Sequence, residues 1–326
     1  MADRAKNGIH QRSDLPEAGE GSGMTAGDNQ GDLLAGLTLP RSAARILRLA
    51  HEIQEVRPER PDYLHSVLCQ VGLPRSATKS LTFERTNGHA SLLVEAGKLW
   101  NGATWVQQPL PCGTRPRLAL VHVSSEAVRS KSPVVEIGRS VREFLIRLGV
   151  DTGGREYATF AKQMRALSAC RMSLGFGTET IDAKPIERFD AWTDAGGERD
   201  RHSPGVIELT PKFFASLTEF AVPLDARALA ALRHSALALD VYTWLAHRLL
   251  RVKRQTGERV TWKNLRDQFG QEYADPRNFK RKMVTTLRSV MAVYPDARIE
   301  PVLGGLILLP SQPPVPRISL QVRTVG

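Results

Sequence analysis

DPRNFKRKMVTTLRSVMAVY, residues 275–294, has two faces. Asp275 is an N-cap residue type, and Pro276 suits the first helical position. Phe279, Met283, Leu287, Val290 and Met291 recur at helical spacing, which predicts a helix with one apolar stripe. Arg277, Asn278, Arg281, Lys282, Thr285 and Arg288 fall largely on the other side, and Lys280 adds a charge nearby. Residues 275–288 hold five basic side chains against one acid. Such a face has the chemistry that duplex DNA demands: cations for phosphates, Arg for guanine edges and Asn for adenine edges. The plainer alternative is a solvated basic face on an ordinary helix.

The flanking text places this helix in a larger unit. Upstream, SALALDVYTWLAHRLLRVK (235–253) reads as a long helix with Leu237, Val241, Trp244, Leu245 and Leu249 on one stripe. RVTW (259–262) reads as a short strand, and KNLRDQFG as a helix with Leu265 and Phe269 inward. Downstream, ARIEP and GGLILLP (297–310) read as a hairpin around Gly304-Gly305. Helix, strand, helix, helix and hairpin is the order of a winged helix, whose third helix enters the major groove.

The same order recurs earlier. It runs through a helix at 117–130, the strand VVEIG (134–138), the helix RSVREFLIRLGV and the helix GGREYATFAKQMRALSACR. The strand RMSLGFG (171–177), a polar loop at 190–205 and the returning strand GVIEL (205–209) follow. Pairing Val141 with Leu265 and Leu145 with Phe269 sets the copies about 124 residues apart. In the earlier third helix, Tyr157, Phe160, Ala161, Met164 and Leu167 form the apolar set, and Tyr157 and Tyr242 read as core residues. Arg155, Thr159, Lys162, Gln163 and Arg165 form a weaker polar set that is the second candidate for DNA contact.

The expected fold class is therefore α+β, mainly helical, with two tandem winged-helix (helix-turn-helix plus β-hairpin) domains. Residues 1–40 read as a disordered tail. Residues 41–108 read as a helical segment and linker with short strands: a helix at 41–56, a short apolar helix at 62–71, and strands near 81–85 and 104–106 with an Asn87-Gly88 turn. Residues 109–222 form the first winged-helix domain, a candidate for dimerisation. Residues 223–310 form the second, the main DNA binder, and 311–326 a C-terminal tail.

Charge supports the same reading. The chain of 326 residues carries 45 Lys+Arg against 34 Asp+Glu, a net charge of +11. Three cations against six acids leave the tail 1–40 at −3 and the remaining chain at +14. A basic body of this kind favours polyanionic partners. No apolar run is long enough to span a membrane, so no membrane partner is expected. The N-terminal MADRAKNGIHQRSD lacks the apolar core of a secretory signal. Cys69, Cys112 and Cys170 are dispersed, which suits a reducing cytoplasm and suggests neither a disulfide framework nor a zinc ribbon.

The segment PLPCGTRPRLALVHVSSEAVRSKSPVVEIGRSVREFLIRLGVDTGG (109–154) resembles the RepA-type replication initiators of broad-host-range plasmids. The residues that carry the resemblance are Pro111, Gly113, Ser125, Glu126, Ala127, Val128, Arg129, Ser130, Lys131 and Ser132, then Glu143, Phe144, Leu148 and Gly149. ELTPKFFASL (208–217) and SALALDVYTWLAHRL (235–249) extend it, so that it spans about 105–310. Cys112 stands where the family usually has Tyr, and Leu118-Ala119-Leu120-Val121-His122-Val123 replaces a run ending in Trp-Leu-Cys. The resemblance implies binding to repeated double-stranded origin DNA (iterons), opening of an adjacent A·T-rich stretch, recruitment of host DnaA and a DnaB-type helicase, and autorepression as a homodimer.

Enzymatic readings find little support. The eight histidines include no His-x-His pair for a nicking tyrosine. No GxxxxGK[ST] loop is present, so neither a nucleotide nor any other cofactor is expected. Glu126 and Arg129 read as an ion pair within a helix. A winged-helix transcriptional regulator acting on an operator palindrome uses the same helices and stays open as the alternative.

Overall fold

The computed structural model describes residues 41–56, 58, 60–190 and 205–315. It is a mixed α/β fold with small sheets. An N-terminal helix α1 (Arg41–Glu55) leads into β1 (Pro61–His65), α2 (Ser66–Gln70), and the strands β2 (Thr82–Asn87), β3 (Ala90–Glu95), β4 (Lys98–Trp100) and β5 (Trp105–Gln107). The sequence suggested one short apolar helix at 62–71. Its first half is instead a strand, because β1 pairs antiparallel with the distant β11 (Ala221–Asp225), from Pro61↔Asp225 to His65↔Ala221. The Asn87-Gly88 turn is present and joins β2 to β3, with Gly88 at φ +59°.

Then come α3 (Thr114–Ser130), β6 (Val134–Gly138), α4 (Val141–Arg147), α5 (Gly154–Ala169), the hairpin β7 (Arg171–Phe176) and β8 (Glu179–Ala183), and the pair β9 (Ile186–Asp190) and β10 (Gly205–Leu209). The loop expected at 190–205 lies almost wholly outside the described residues, as do both tails except 311–315. β7 joins β3, giving a four-stranded sheet β2-β3-β7-β8 that ties the N-terminal segment to the end of α5. α6 (Pro211–Phe220), β11 and α7 (Ala226–Leu232) lead to α8 (Ala236–Arg248), a 3-10 turn at Leu249–Arg251, β12 (Glu258–Thr261), α9 (Trp262–Phe269), α10 (Pro276–Ala292), β13 (Ile299–Val302) and β14 (Gly305–Leu308).

The two sets of elements share one strand arrangement. In each, the strand between the first and second helices pairs with the last strand, giving β6-β10-β9 and β12-β14-β13. The caps also match. Ser140 Oγ accepts from Glu143 N at 3.1 Å at the start of α4, and Thr261 Oγ1 accepts from Asn264 N at 3.1 Å at the start of α9. Aligned on these caps, Phe144 corresponds to Leu265 and Leu148 to Phe269. That is about one helical turn away from the pairing read off the sequence: Val141, the first residue of α4, corresponds to Trp262, the first residue of α9.

The residues that carried the family resemblance act mainly in folding. Gly113 and Gly149 hold φ +81° and +63°, and Lys131 ends α3 in the left-handed region at φ 54°. Ser125 Oγ donates to Val121 O at 2.6 Å and accepts from Tyr63 N at 2.7 Å, fixing β1 on α3. Arg129 bridges Glu126 and Asp62 and also donates to Pro61 O at 2.8 Å. Phe144 is fully buried, edge-on to Phe160 at 5.5 Å between ring centres.

A buried ionic cluster joins the two sets. Asp240 of α8 accepts from Arg117 of α3 through Nε at 2.7 Å and Nη2 at 2.9 Å, and Arg75 Nη1 lies 3.5 Å away. Arg117 also donates to the carbonyls of Pro74 and Gly113. Arg75 and Arg85 reach Glu272, in the turn between α9 and α10. Each of these guanidiniums is satisfied by a carboxylate or carbonyls, which a buried charge requires.

Candidate nucleic-acid interface

α10 is built as its sequence suggested. Asp275 Oδ1 accepts from Arg277 N at 2.9 Å and Pro276 occupies the first turn. Phe279, Met283, Leu287 and Val290 are buried, each contributing on the order of 1.5–3 kcal/mol to holding the helix down. Met291, expected inward, is instead 37% exposed, since it sits at the edge of the stripe.

Arg277, Asn278, Lys280, Arg281, Lys282, Thr285 and Arg288 are all exposed and so stand together on the open side of α10. Asn278 Oδ1 accepts from Arg281 Nη2 at 3.0 Å, one turn away, which orients the guanidinium along the helix. Thr285 Oγ1 is turned back to Arg281 O at 3.1 Å. Lys280 Nζ lies 5.1 Å from the ring centre of Trp262, at the start of α9, a cation–π contact that ties the two helices.

The β13–β14 hairpin meets the start of α9, where Trp262 N donates to Gly304 O at 3.0 Å. Leu303 at its tip is 94% exposed, Gly304 takes φ +82°, and Arg259 Nη2 donates to Leu303 O. A Cβ at Gly305 would lie 2.2 Å from Val260 O, so only glycine lets β14 close on β12. Arg259 and Trp262 are not marked as site residues by sequence pattern. Trp262 is marked by its contact with Lys280 and Arg259 by its bond to the hairpin tip, neither of which a local pattern carries.

On α5, Arg155, Thr159, Lys162 and Arg165 are exposed. Gln163 is a correction. It is buried, and its Oε1 accepts from Cys112 N at 2.7 Å, so it faces the protein and is unavailable to DNA. Tyr157, expected in the core, is 38% exposed, whereas Tyr242 is fully buried and accepts from Asp225 N at 2.8 Å.

Buried polar groups elsewhere have structural duties. His65 Nδ1 accepts from Val67 N, so Nε2 carries the ring proton and donates to Ser216 Oγ at 2.8 Å. That tautomer cannot take a proton from Ser216, so the pair is no nucleophile and base. Burial lowers the pKa of His65 to about 4. The Cys69 and Cys170 thiols are pushed up by burial, Cys170 to about 12, and stay protonated. Among the described residues no group of three or more His, Cys, Asp or Glu is placed to hold a metal ion, and no helix is long and apolar enough to cross a membrane.

Residues 110–265 match the family model of plasmid-encoded RepA protein, which meets the resemblance read from the sequence. No curated protein matches the chain. Two crystal structures show a looser likeness. One, of RctB domains 2-3 (RctB-155-483), is 12% identical with a TM-score of 0.45, covering 68% of this chain and 82% of that one. The other, a SeMet derivative of RctB domains 2 and 3, is 12% identical with a TM-score of 0.47, covering 76% and 99%. Likeness at this level carries no argument about what the chain does.

Proposed function

We propose that this chain, whose residues 110–265 match the family model of plasmid-encoded RepA protein, is a plasmid replication initiator that binds repeated duplex sites (iterons) at an origin. The two helix-strand-helix-helix-hairpin sets are read as winged-helix modules. α10 is the main reading helix, through Arg277, Asn278, Lys280, Arg281, Lys282, Thr285 and Arg288. α5 is the second, through Arg155, Thr159, Lys162 and Arg165. The observation that carries this is the two-sidedness of α10: its apolar stripe is sunk in the core while these seven polar side chains are exposed. Melting of an adjacent A·T-rich tract, recruitment of host DnaA and a DnaB-type helicase, and homodimer formation follow from the family alone.

The test is selection of bound duplexes from a random pool by the full chain, followed by footprinting on the neighbouring plasmid DNA. Direct repeats beside an A·T-rich tract, on a plasmid that fails to persist without the gene, support the proposal. A single palindrome over a promoter favours a regulator instead. No enrichment over random duplex refutes both.

A further inference from the structure

β4 and β5 form a two-stranded hairpin that pairs with no other strand among the described residues. Its register, Lys98↔Gln107, Leu99↔Val106 and Trp100↔Trp105, puts both indoles and Lys98 on one face. The indole centres are 5.6 Å apart with the rings tilted by 59°. Trp100 is 55% exposed and Trp105 is 64% exposed, and the turn 101–104 is exposed throughout. An isolated two-stranded ribbon is marginal in water, and indoles are ordinarily buried. A ribbon that presents two of them to solvent suggests a partner.

The ribbon is rooted on α5. Gly97 packs on the last residue of that helix: a Cβ there would lie 2.0 Å from Ala169 O. Gln108 N donates to Gly97 O at 2.9 Å, and Gln107 Nε2 donates to the same carbonyl at 2.9 Å, closing the base. The outgoing leg is tied by the Cys112 N to Gln163 Oε1 bond, between the exposed Lys162 and Arg165. The indoles thus project from the carboxyl-terminal part of the helix that carries the first module's cations.

Charge selects the partner. No Asp or Glu occurs between Glu95 and Glu126, and the hairpin adds Lys98 to the cations of α5. A second copy of a chain whose body carries +14 outside residues 1–40 is a poor electrostatic match for such a surface. We propose that the 98–107 hairpin is a second duplex-DNA contact of the first module, with Trp100 and Trp105 resting in the minor groove beside the major-groove segment that α5 enters. Apolar side chains at that place widen or kink the step they touch. This rests on α5 being a DNA-facing helix, and it explains how a helix less basic than α10 still holds a site.

The experiment uses the full chain and a duplex enriched by selection. The double variant W100A/W105A, with W100F/W105F as its conservative partner, is compared with the unaltered chain by anisotropy and hydroxyl-radical footprinting. Thermal unfolding is expected to be unchanged, because both rings are exposed. Affinity is expected to fall about tenfold, in the range of one aromatic–base contact. Protection is expected to vanish at one flank while the α10 segment stays protected, and the Phe variant is expected to restore part of both. Unchanged affinity and footprint overturn the proposal. So does altered sedimentation with DNA binding intact, which makes the indoles a contact between copies, and so does a loss confined to single-stranded oligonucleotides. A chain with no footprint above random duplex overturns the initiator reading along with the hairpin, whereas a flank-only change isolates the hairpin.

Discussion

Arg281→Ala, Asn278→Ala and their double variant form a cycle that tests the proposed reading of α10. Arg281 is the side chain suited to a bidentate guanine contact, and losing it is expected to cost about 1–3 kcal/mol, or roughly 5- to 150-fold, on a selected duplex. Asn278 holds that guanidinium at 3.0 Å through its amide oxygen. Removing the amide frees a long side chain that must then be immobilised on binding, at about 0.5–1.5 kcal/mol. Because the two act through one contact, the double variant is expected to lose little more than Arg281→Ala alone, leaving a coupling of about 0.5–1.5 kcal/mol. The assay is competition anisotropy at one fixed salt concentration, on selected and random duplexes in parallel. Strict additivity would sink the orienting role of Asn278. Equal losses on both duplexes would sink the base contact itself.

Three further outcomes follow from other parts of the structure. Lys282→Ala is expected to weaken selected and random duplexes alike and to reduce the slope of log K against log salt by about 0.9, one phosphate's worth; an unchanged slope places Lys282 off the backbone. Asp240→Ala leaves Arg117 and Arg75 buried without their carboxylate and is expected to cost about 3–5 kcal/mol in chemical denaturation; a loss below about 1 kcal/mol contradicts the joint between the two sets of elements. Burial lowers both His65 and His247 to about 4, so both stay neutral in the folded chain while the unfolded chain gains protons below about pH 6.5. Stability is then complete above that pH and falls as pH drops toward 4, by up to roughly 3 kcal/mol per imidazole. His65→Gln is expected to flatten part of that fall, and an identical pH profile in the variant removes His65 from the account.

Much of this protein is legible in the sequence alone. Helix amphipathicity is a local property: the 3.6-residue spacing of Phe279, Met283, Leu287 and Val290 fixes which side of α10 meets the core, and hence which side Arg281 and Lys282 occupy. Caps such as Asp275 and Thr261 are equally local, so element order and the exposed basic face of α10 were visible in the text. Contacts between distant residues were not. A strand declares itself only weakly when its partner is far off, so Pro61–His65 read as helix until β11, some 160 residues later, supplied its hydrogen bonds. Gln163 looks like any polar residue on a basic helix. Its burial depends on Cys112 crossing that turn of α5, a packing event that spans 51 residues of chain. The ion cluster around Asp240 and the hairpin rooted at Ala169 belong to the same class. Each is made by groups whose proximity is set by the closing of the whole core, where desolvation makes their pairing obligatory.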